Sequence, residues 1–474
     1  MNRSISGIDN AEPEERITTM ETIILSTPEL GDRSYIVHDG QKALVIDPQR
    51  DIERVIEAAS NAGVEIVAIA ESHMHNDYVT GGYELATLLG VPYLVNEKDE
   101  VSFERVGVSD GFTMNIGELN LKVIATPGHT PTHISFEVRG KDGSGTIFSG
   151  GSLLYGSVGR PDLLGPDLVD FLSRSQFRSV NHLAATLPDE FAVAPTHGFG
   201  SFCSSNTCEV SNSSTIGEEK EYNFALTITD EDEFKETLLA GLDEWPAYYA
   251  HMGPLNQSGP SSYFDSLPSL LSDDELAKLI NDGAYVVDLR DGEAFAAEHI
   301  VGTLALGISN SFSAYLGWTY PWGEAIAFVA SDLSQVLEAK RQLARIGIEN
   351  VVGYTLFPKT DSNVLKRASM ELVTFPGLAE ALSKKKAPIV DVRRKNENRE
   401  SSIPGAINIP VHNLSERHSE LDGIKDQTLY VHCAGGYRSV FGASILEKLG
   451  FDAIAVRDSY TEEARSLVAT QITA

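Results

Sequence analysis

The sequence predicts an α/β protein of about three domains, and three observations carry that reading. The chain has 474 residues, more than one hydrophobic core holds together. In the first half, apolar strand-like runs alternate with amphipathic helix-like ones. In the second half the sequence repeats itself once.

Each element follows in chain order. Residues 1–17, rich in polar and charged side chains, read as a flexible lead-in with no apolar core of the secretory kind. Residues 18–245 form the first predicted domain. Within it, Ala43 to Asp47 reads as a buried strand, Asp51 to Ala62 as an amphipathic helix, and Val64 to Ala70 as a second strand. Residues 246–268, opened by Trp245-Pro246 and carrying Gly259-Pro260, read as a linker. The repeat then pairs Ala284–Arg290 with Ala387–Arg393, Glu298–Thr303 with Ser401–Ala406, and Leu343–Ile348 with Leu446–Phe451. The two copies, over 269–365 and 372–470, are both expected to be small doubly wound α/β domains.

Composition excludes several functions. Hydrophobic residues make up 42% and charged residues 22%, as in globular proteins that function in water. A net charge of -31 repels nucleic acid and anionic membrane, so neither is an expected partner. No apolar run reaches the roughly 20 residues of a membrane helix. Three cysteines rule out a disulfide framework and point to a reducing, cytoplasmic setting.

Cys433 stands at the end of the apolar run Thr428 to His432, in Cys433-Ala434-Gly435-Gly436-Tyr437-Arg438-Ser439. A lone cysteine after a strand is ordinarily a small core residue. Here the small residues after it allow backbone N–H groups to curl around the sulfur, and helical periodicity from about Arg438 aims a positive dipole end at it. Both effects favour the thiolate, the form that attacks sulfane sulfur. The Cys-x-x-Gly-x-Arg-Ser run, with Asp-x-Arg and Ile-Pro-Gly-Ala upstream, resembles the rhodanese family over about residues 372 to 470. That resemblance implies a cysteine persulfide carried on Cys433, with Arg438 orienting or neutralising an anionic donor such as thiosulfate. In the first copy, Ala330 or Ser331 falls opposite Cys433, so that copy is expected to be catalytically silent.

Five histidines fall in three runs of the first domain. They are Ser72-His73-Met74-His75-Asn76-Asp77-Tyr78, Thr126-Pro-Gly-His129-Thr-Pro-Thr-His133, and Pro195-Thr-His197. Alternate residues at a strand end point the same way, so His73, His75 and Asp77 can converge. Clustered imidazoles on loops after strands suit zinc or iron. The three runs resemble the metallo-β-lactamase superfamily over about residues 20 to 225. Two positions depart from its pattern: Tyr78 replaces a histidine of the second metal site, and Gly151 replaces the bridging aspartate. The positions that hold iron in the persulfide dioxygenases of this superfamily match His73, His129 and Gly151. The missing carboxylate leaves three substitutes open: water or an anion, His75 or Asp77, or no metal at all. Arg160 and Asp162 match the loop after the aspartate, where they would support the ligands or the fold. Cys203, six positions beyond His197, would either line the pocket and handle sulfur or be a buried loop thiol. Cys208 offers a conceivable redox partner for it.

Together the resemblances imply an α/β chain in which an N-terminal metallo-β-lactamase αββα sandwich precedes two rhodanese-like domains. The order is similar to that of bacterial persulfide dioxygenase–sulfurtransferase fusions. It implies one iron(II) ion, with zinc or no metal as alternatives, acting on a small thiol persulfide and O₂. Sulfite or thiosulfate would be exchanged at Cys433. Rival readings are a sulfurtransferase with a vestigial metal domain, a thioester hydrolase of the glyoxalase II type, and a non-catalytic sulfide sensor or scaffold. The thiol carrier and the oligomeric state, a homo-oligomer included, stay open.

Overall fold

The computed structural model describes residues 20–204, 212–263, 266–357 and 364–473. The lead-in over residues 1–17 and Cys208 lie outside the described residues.

The first domain is built on two six-stranded sheets packed face to face. One runs in sequence order through Glu21–Thr27, Asp32–His38, Lys42–Ile46, Glu65–Ala70, Tyr93–Asn96 and Val106–Val108. The second has the order Ser214–Thr215, Ala192–Pro195, Gly145–Gly150, Ile134–Arg139, Leu119–Ala125 and Thr113–Ile116. Strand alternation explains the layering. Tyr35 and Val37 face the opposite sheet, where Tyr35 meets Phe148 edge-on at 5.2 Å, while Ile36 between them faces the outer helices. Helices Glu53–Ala62 and Gly82–Leu89 cover the first sheet through Val55, Ala59, Leu85 and Ala86. Helix Val169–Thr186 covers the second through Val180 and Leu183. The result is the expected αββα sandwich. The expected strands and helix at 43–70 fall at Lys42–Ile46, Glu53–Ala62 and Glu65–Ala70.

The two copies of the repeat share one topology. The first sheet has the order Leu304–Ala305, Tyr285–Asp288, Ile326–Ala330, Val351–Leu356. The second has Leu372–Val373, Ala453–Val456, Leu429–His432, Ile389–Asp391, Ile407–Asn408, which is the same path with one added edge strand. The Asp-x-Arg signature does the same work in both. Arg290 and Arg393 each fold back on Asp288 and Asp391, at 2.6 and 2.7 Å, and each donates to a carbonyl eight residues on, that of Glu298 or Ser401. A buried carboxylate is thereby paired and the loop after the strand is pinned.

The segment expected to be a linker contains the helix Tyr249–Ser258, packed on the histidine-bearing loop of the first domain. Asn256, fully buried, donates from Nδ2 to the carbonyls of His75 and Tyr78, both at 2.9 Å, and accepts from the Thr80 N–H at 2.9 Å. The first repeat reaches the same loop. Arg345 pairs with Asp51 at 2.5 Å and with Glu29, and its carbonyl accepts from the Val79 N–H at 2.7 Å. Among the described residues, no helix is long and apolar enough to cross a membrane.

Candidate functional site

The three histidine runs meet at one end of the sandwich. His73 and His75 lie just beyond strand Glu65–Ala70, His129 and His133 between Leu119–Ala125 and Ile134–Arg139, and His197 just beyond Ala192–Pro195. The ring of His73 lies 4.1 Å from that of His75, 4.8 Å from His129, 4.9 Å from His133 and 5.3 Å from His197. No imidazole of the five is more than 1% exposed. Their charges are therefore set by neighbours, not by water.

The back of each ring is held. His73 Nδ1 contacts Ser72 Oγ at 2.9 Å, and Ser72 Oγ donates to Asp47 at 2.7 Å. His129 Nδ1 donates to the Arg160 carbonyl at 2.8 Å. His197 Nδ1 donates to Asp32 at 2.9 Å and lies 3.0 Å from Asp77. His75 Nε2 faces Glu71 at 3.1 Å, Tyr78 Oη at 2.9 Å and Asp47 at 3.4 Å. These contacts turn the opposite nitrogens inward. His75 Nδ1 and His129 Nε2 are buried without a hydrogen-bond partner, and His73 Nε2 faces His197 Nε2 at 3.3 Å. Buried polar atoms are ordinarily satisfied, so converging unpartnered nitrogens mark a cation site. The donor atoms of His73, His75 and His197 lie within 4.8 Å of one another.

Electrostatics divide the five rings. Burial, then the neighbouring imidazoles, push His73 and His133 well below the usual histidine range and His129 down to about 3. These rings are neutral, the form a metal needs. Burial also works against a charge on His75, but Asp47 and Glu71 outweigh it and raise it to about 9. Asp77 and Asp32 do the same for His197. Burial, then the charge of Asp77, pushes Asp32 up to about 7, while His197 holds Asp77 low. Burial pushes Glu71 up as well, so Asp47 and Asp77, both held low, are the carboxylates that balance the charges on His75 and His197.

Carboxylate neighbours take up His75 Nε2, which leaves Nδ1 as its unpartnered nitrogen. Asp77 sits behind His197, on its Nδ1 side, and is not on the convergent face. Tyr78 stacks on His75 at 4.2 Å instead of offering a nitrogen. At Gly151, a Cβ would lie 2.3 Å from His129 Cδ2, so the His129 ring fills the space next to the backbone where an aspartate would start. The Gly151 N–H donates to His133 Nε2 at 2.9 Å. Arg160 grips Asp162 through two nitrogens at 2.7 and 2.8 Å. Cys203 is fully buried, its Sγ 3.8 Å from Tyr249 Oη. A cavity of about 450 Å³ opens beside the cluster, lined by Met74, Asn76, Thr130, Leu163, Tyr249 and Pro254. Asp32, Tyr249 and Asn256 escaped the sequence reading, since no local motif marks them.

In the second repeat, strand Leu429–His432 delivers Cys433 to the N-terminus of helix Tyr437–Lys448. Gly436, at φ +91°, donates its N–H to Cys433 Sγ at 3.1 Å. An added Cβ there would meet the Arg457 backbone at 3.0 Å, so only glycine makes this turn. Ser439 Oγ closes the turn on the Gly436 carbonyl at 2.9 Å, and the Tyr460 N–H holds the Ala434 carbonyl at 2.8 Å. Ala434 and Gly435 face solvent. Tyr437 Oη reaches across to the Gly307 carbonyl of the first repeat at 2.7 Å. Arg438 differs from expectation: its guanidinium is held by both oxygens of Glu397, at 2.6 and 2.7 Å. It therefore presents to a donor as one half of an ion pair.

Parallel register settles the comparison with the first copy. Asp391 pairs with His432 and Asp288 with Val329, which puts Ala330 in the place of Cys433. Asp332 then caps helix Leu333–Arg345, accepting from the Ser334 and Gln335 N–H groups. An acidic side chain there competes with any incoming anion.

Fold and site together define a metallo-β-lactamase superfamily domain followed by a rhodanese domain. Residues 29–197 match the Metallo-beta-lactamase superfamily model and residues 375–462 the Rhodanese-like domain model. The chain is 26% identical over 204 residues to human mitochondrial persulfide dioxygenase ETHE1, covering 43% of this chain and 72% of that protein. It is 28% identical over 165 residues to a hydroxyacylglutathione hydrolase of Albidiferax ferrireducens, covering 35% and 61%. A solved metallo-beta-lactamase from Staphylococcus aureus aligns at 27% identity with a TM-score of 0.63, covering 72% of this chain and 99% of that one.

Proposed function

We propose that the chain oxidises a low-molecular-weight thiol persulfide to sulfite at one iron(II) ion and carries sulfane sulfur on Cys433. The observations that carry this reading are the donor atoms of His73, His75 and His197 within 4.8 Å of one another and the unpartnered Nε2 of His129, whose ring lies 5.4 Å from that of His197, while Tyr78 stands where a second ion would need a histidine. Iron would supply O₂ binding and the redox change when bound. The chain's own residues do the rest. Ser72, Arg160 and the Asp32–Asp77 pair fix the imidazole tautomers, and the cavity beside Tyr249 and Met74 receives the thiol carrier. The Gly436 N–H stabilises the Cys433 thiolate as it attacks sulfane sulfur or holds the persulfide. The tether between the two domains raises the concentration of sulfite at Cys433, where thiosulfate would be made or used. The first repeat is proposed to be a silent rhodanese-like module, because Ala330 and Asp332 occupy its loop.

Relatedness to a hydroxyacylglutathione hydrolase favours a rival, thioester hydrolysis at two zinc ions. Tyr78 in place of the second-site histidine and Gly151 in place of the bridging aspartate argue against it. Metal analysis of freshly purified protein and persulfide-dependent O₂ consumption separate the readings. Iron with O₂ uptake is expected. An iron-free, O₂-inert protein with thiosulfate sulfurtransferase activity lost in Cys433→Ser would leave only the sulfur-transfer half, and zinc with thioester turnover would establish the rival.

A further inference from the structure

The loss of an aspartate at 151 removes the anionic ligand on the His129 side of the cluster. Asp77 does not replace it, because that carboxylate lies behind His197. Cys203 is the thiol that packs against this part of the cluster. Its Sγ and donor atoms of His129 and His197 fall within 4.8 Å of one another. His129 Nε2, the nitrogen turned to this space, is buried and has no hydrogen-bond partner. The same residue positions both groups: the Arg160 N–H donates to the Cys203 carbonyl at 3.0 Å, and the Arg160 carbonyl accepts from His129 Nδ1 at 2.8 Å. Such shared anchoring is how ligand pairs are kept in register. The thiol is fully buried and makes no disulfide; its sulfur lies 3.8 Å from Tyr249 Oη and also meets Asp77, and burial with the charges of Asp77 and Asp32 favours the protonated thiol until a cation offsets them.

We infer that Cys203 supplies, as a thiolate, the anionic metal ligand that Gly151 no longer provides, completing an N/S donor set with His129 and His197. This rests on a metal centre in the imidazole cluster, as proposed above. Coordination forms one metal–sulfur bond and releases the thiol proton to solvent, with no change of oxidation state. A thiolate makes the centre softer than one closed by a carboxylate, favouring iron, zinc or cobalt over magnesium or calcium.

Cobalt(II) loaded into the full-length, metal-stripped chain tests this by absorption. The visible ligand-field bands report binding, and a near-ultraviolet thiolate-to-cobalt charge-transfer band reports sulfur. Both are expected in the native chain and in a variant with Cys208→Ser and Cys433→Ser together, which leaves Cys203 as the sole cysteine. In Cys203→Ser and Cys203→Ala the charge-transfer band is expected to fall to background while ligand-field bands persist. Ligand-field bands without the sulfur band in the sole-Cys203 chain overturn the inference and leave the metal centre standing. Absence of both overturns the metal centre as well.

Discussion

Restoring the aspartate at position 151 should make the metal-stripped protein less stable. Gly151 does not have a left-handed backbone, so a side chain costs nothing in φ. The cost comes from contact: the new Cβ would lie 2.3 Å from His129 Cδ2 and 2.8 Å from His129 Cγ. The ring must move, and it is anchored to the Arg160 carbonyl at 2.8 Å. Overpacking a buried site costs about 1–3 kcal/mol, and weakening the anchor adds about 1 kcal/mol. The sum is roughly 2–4 kcal/mol. At about 2–4 °C per kcal/mol for a domain of this size, the first domain should melt roughly 4–16 °C lower. Thermal denaturation followed by circular dichroism measures this. Gly151→Ala, which adds the Cβ without the charge, should show most of the loss. A Gly151→Asp protein as stable as the parent would refute the reasoning, since it would mean that the His129 ring moves aside at no cost.

Three further outcomes follow from the described contacts. Asn256→Ala removes three hydrogen bonds to the loop of His75, Tyr78 and Thr80, and strands buried backbone groups. About 3 kcal/mol of stability should be lost, read as a lower urea midpoint, with faster loss of metal to a chelator. Glu397 is held down at about 2, because the Arg438 guanidinium outweighs the burial that would raise it. Its stabilisation is thus present above the unfolded value near 4.3 and lost as pH falls towards 2; Glu397→Gln should cost about 2–3 kcal/mol at pH 7 and progressively less below pH 4. Ala330→Cys in a Cys433→Ser background should show no thiosulfate sulfurtransferase activity, because Asp332 still occupies the helix N-terminus; measurable turnover would contradict this.

What the sequence reveals and what it conceals divide along chain distance. The imidazoles are legible because they fall in three short runs: the strand Glu65–Ala70 before His73 and His75 shows in the periodicity, and the resemblance to a known superfamily groups the other two runs with it. The repeat was legible because Asp288–Arg290 and Asp391–Arg393 form the same local ion pair. Asp32 lies 165 positions from the imidazole it anchors, and Asn256 lies 181 positions from the His75 carbonyl it binds. Such partners meet only through tertiary packing. Arg438 shows the same limit, for its motif was plain while its partner Glu397, on a separate helix, was not. The one-residue doubt between Ala330 and Ser331 needed the parallel hydrogen-bond register, which no amount of local pattern supplies.

Arg345 gives the thiol-less repeat a reason to exist. A guanidinium shut away from water between Asp51 and Glu29, with its own carbonyl steadying Val79, ties that repeat to the loop that carries the histidines. Cutting the chain after residue 245 would remove Arg345, leaving Asp51 with Arg54 at 3.3 Å and taking this partner from Glu29. The amputated domain would keep the five histidines of the cluster and lose the Arg345 carbonyl and the Asn256 side chain that hold the loop of His73 and His75. The thiol-less repeat works as a keystone, holding the histidine-bearing loop in place from outside the sandwich.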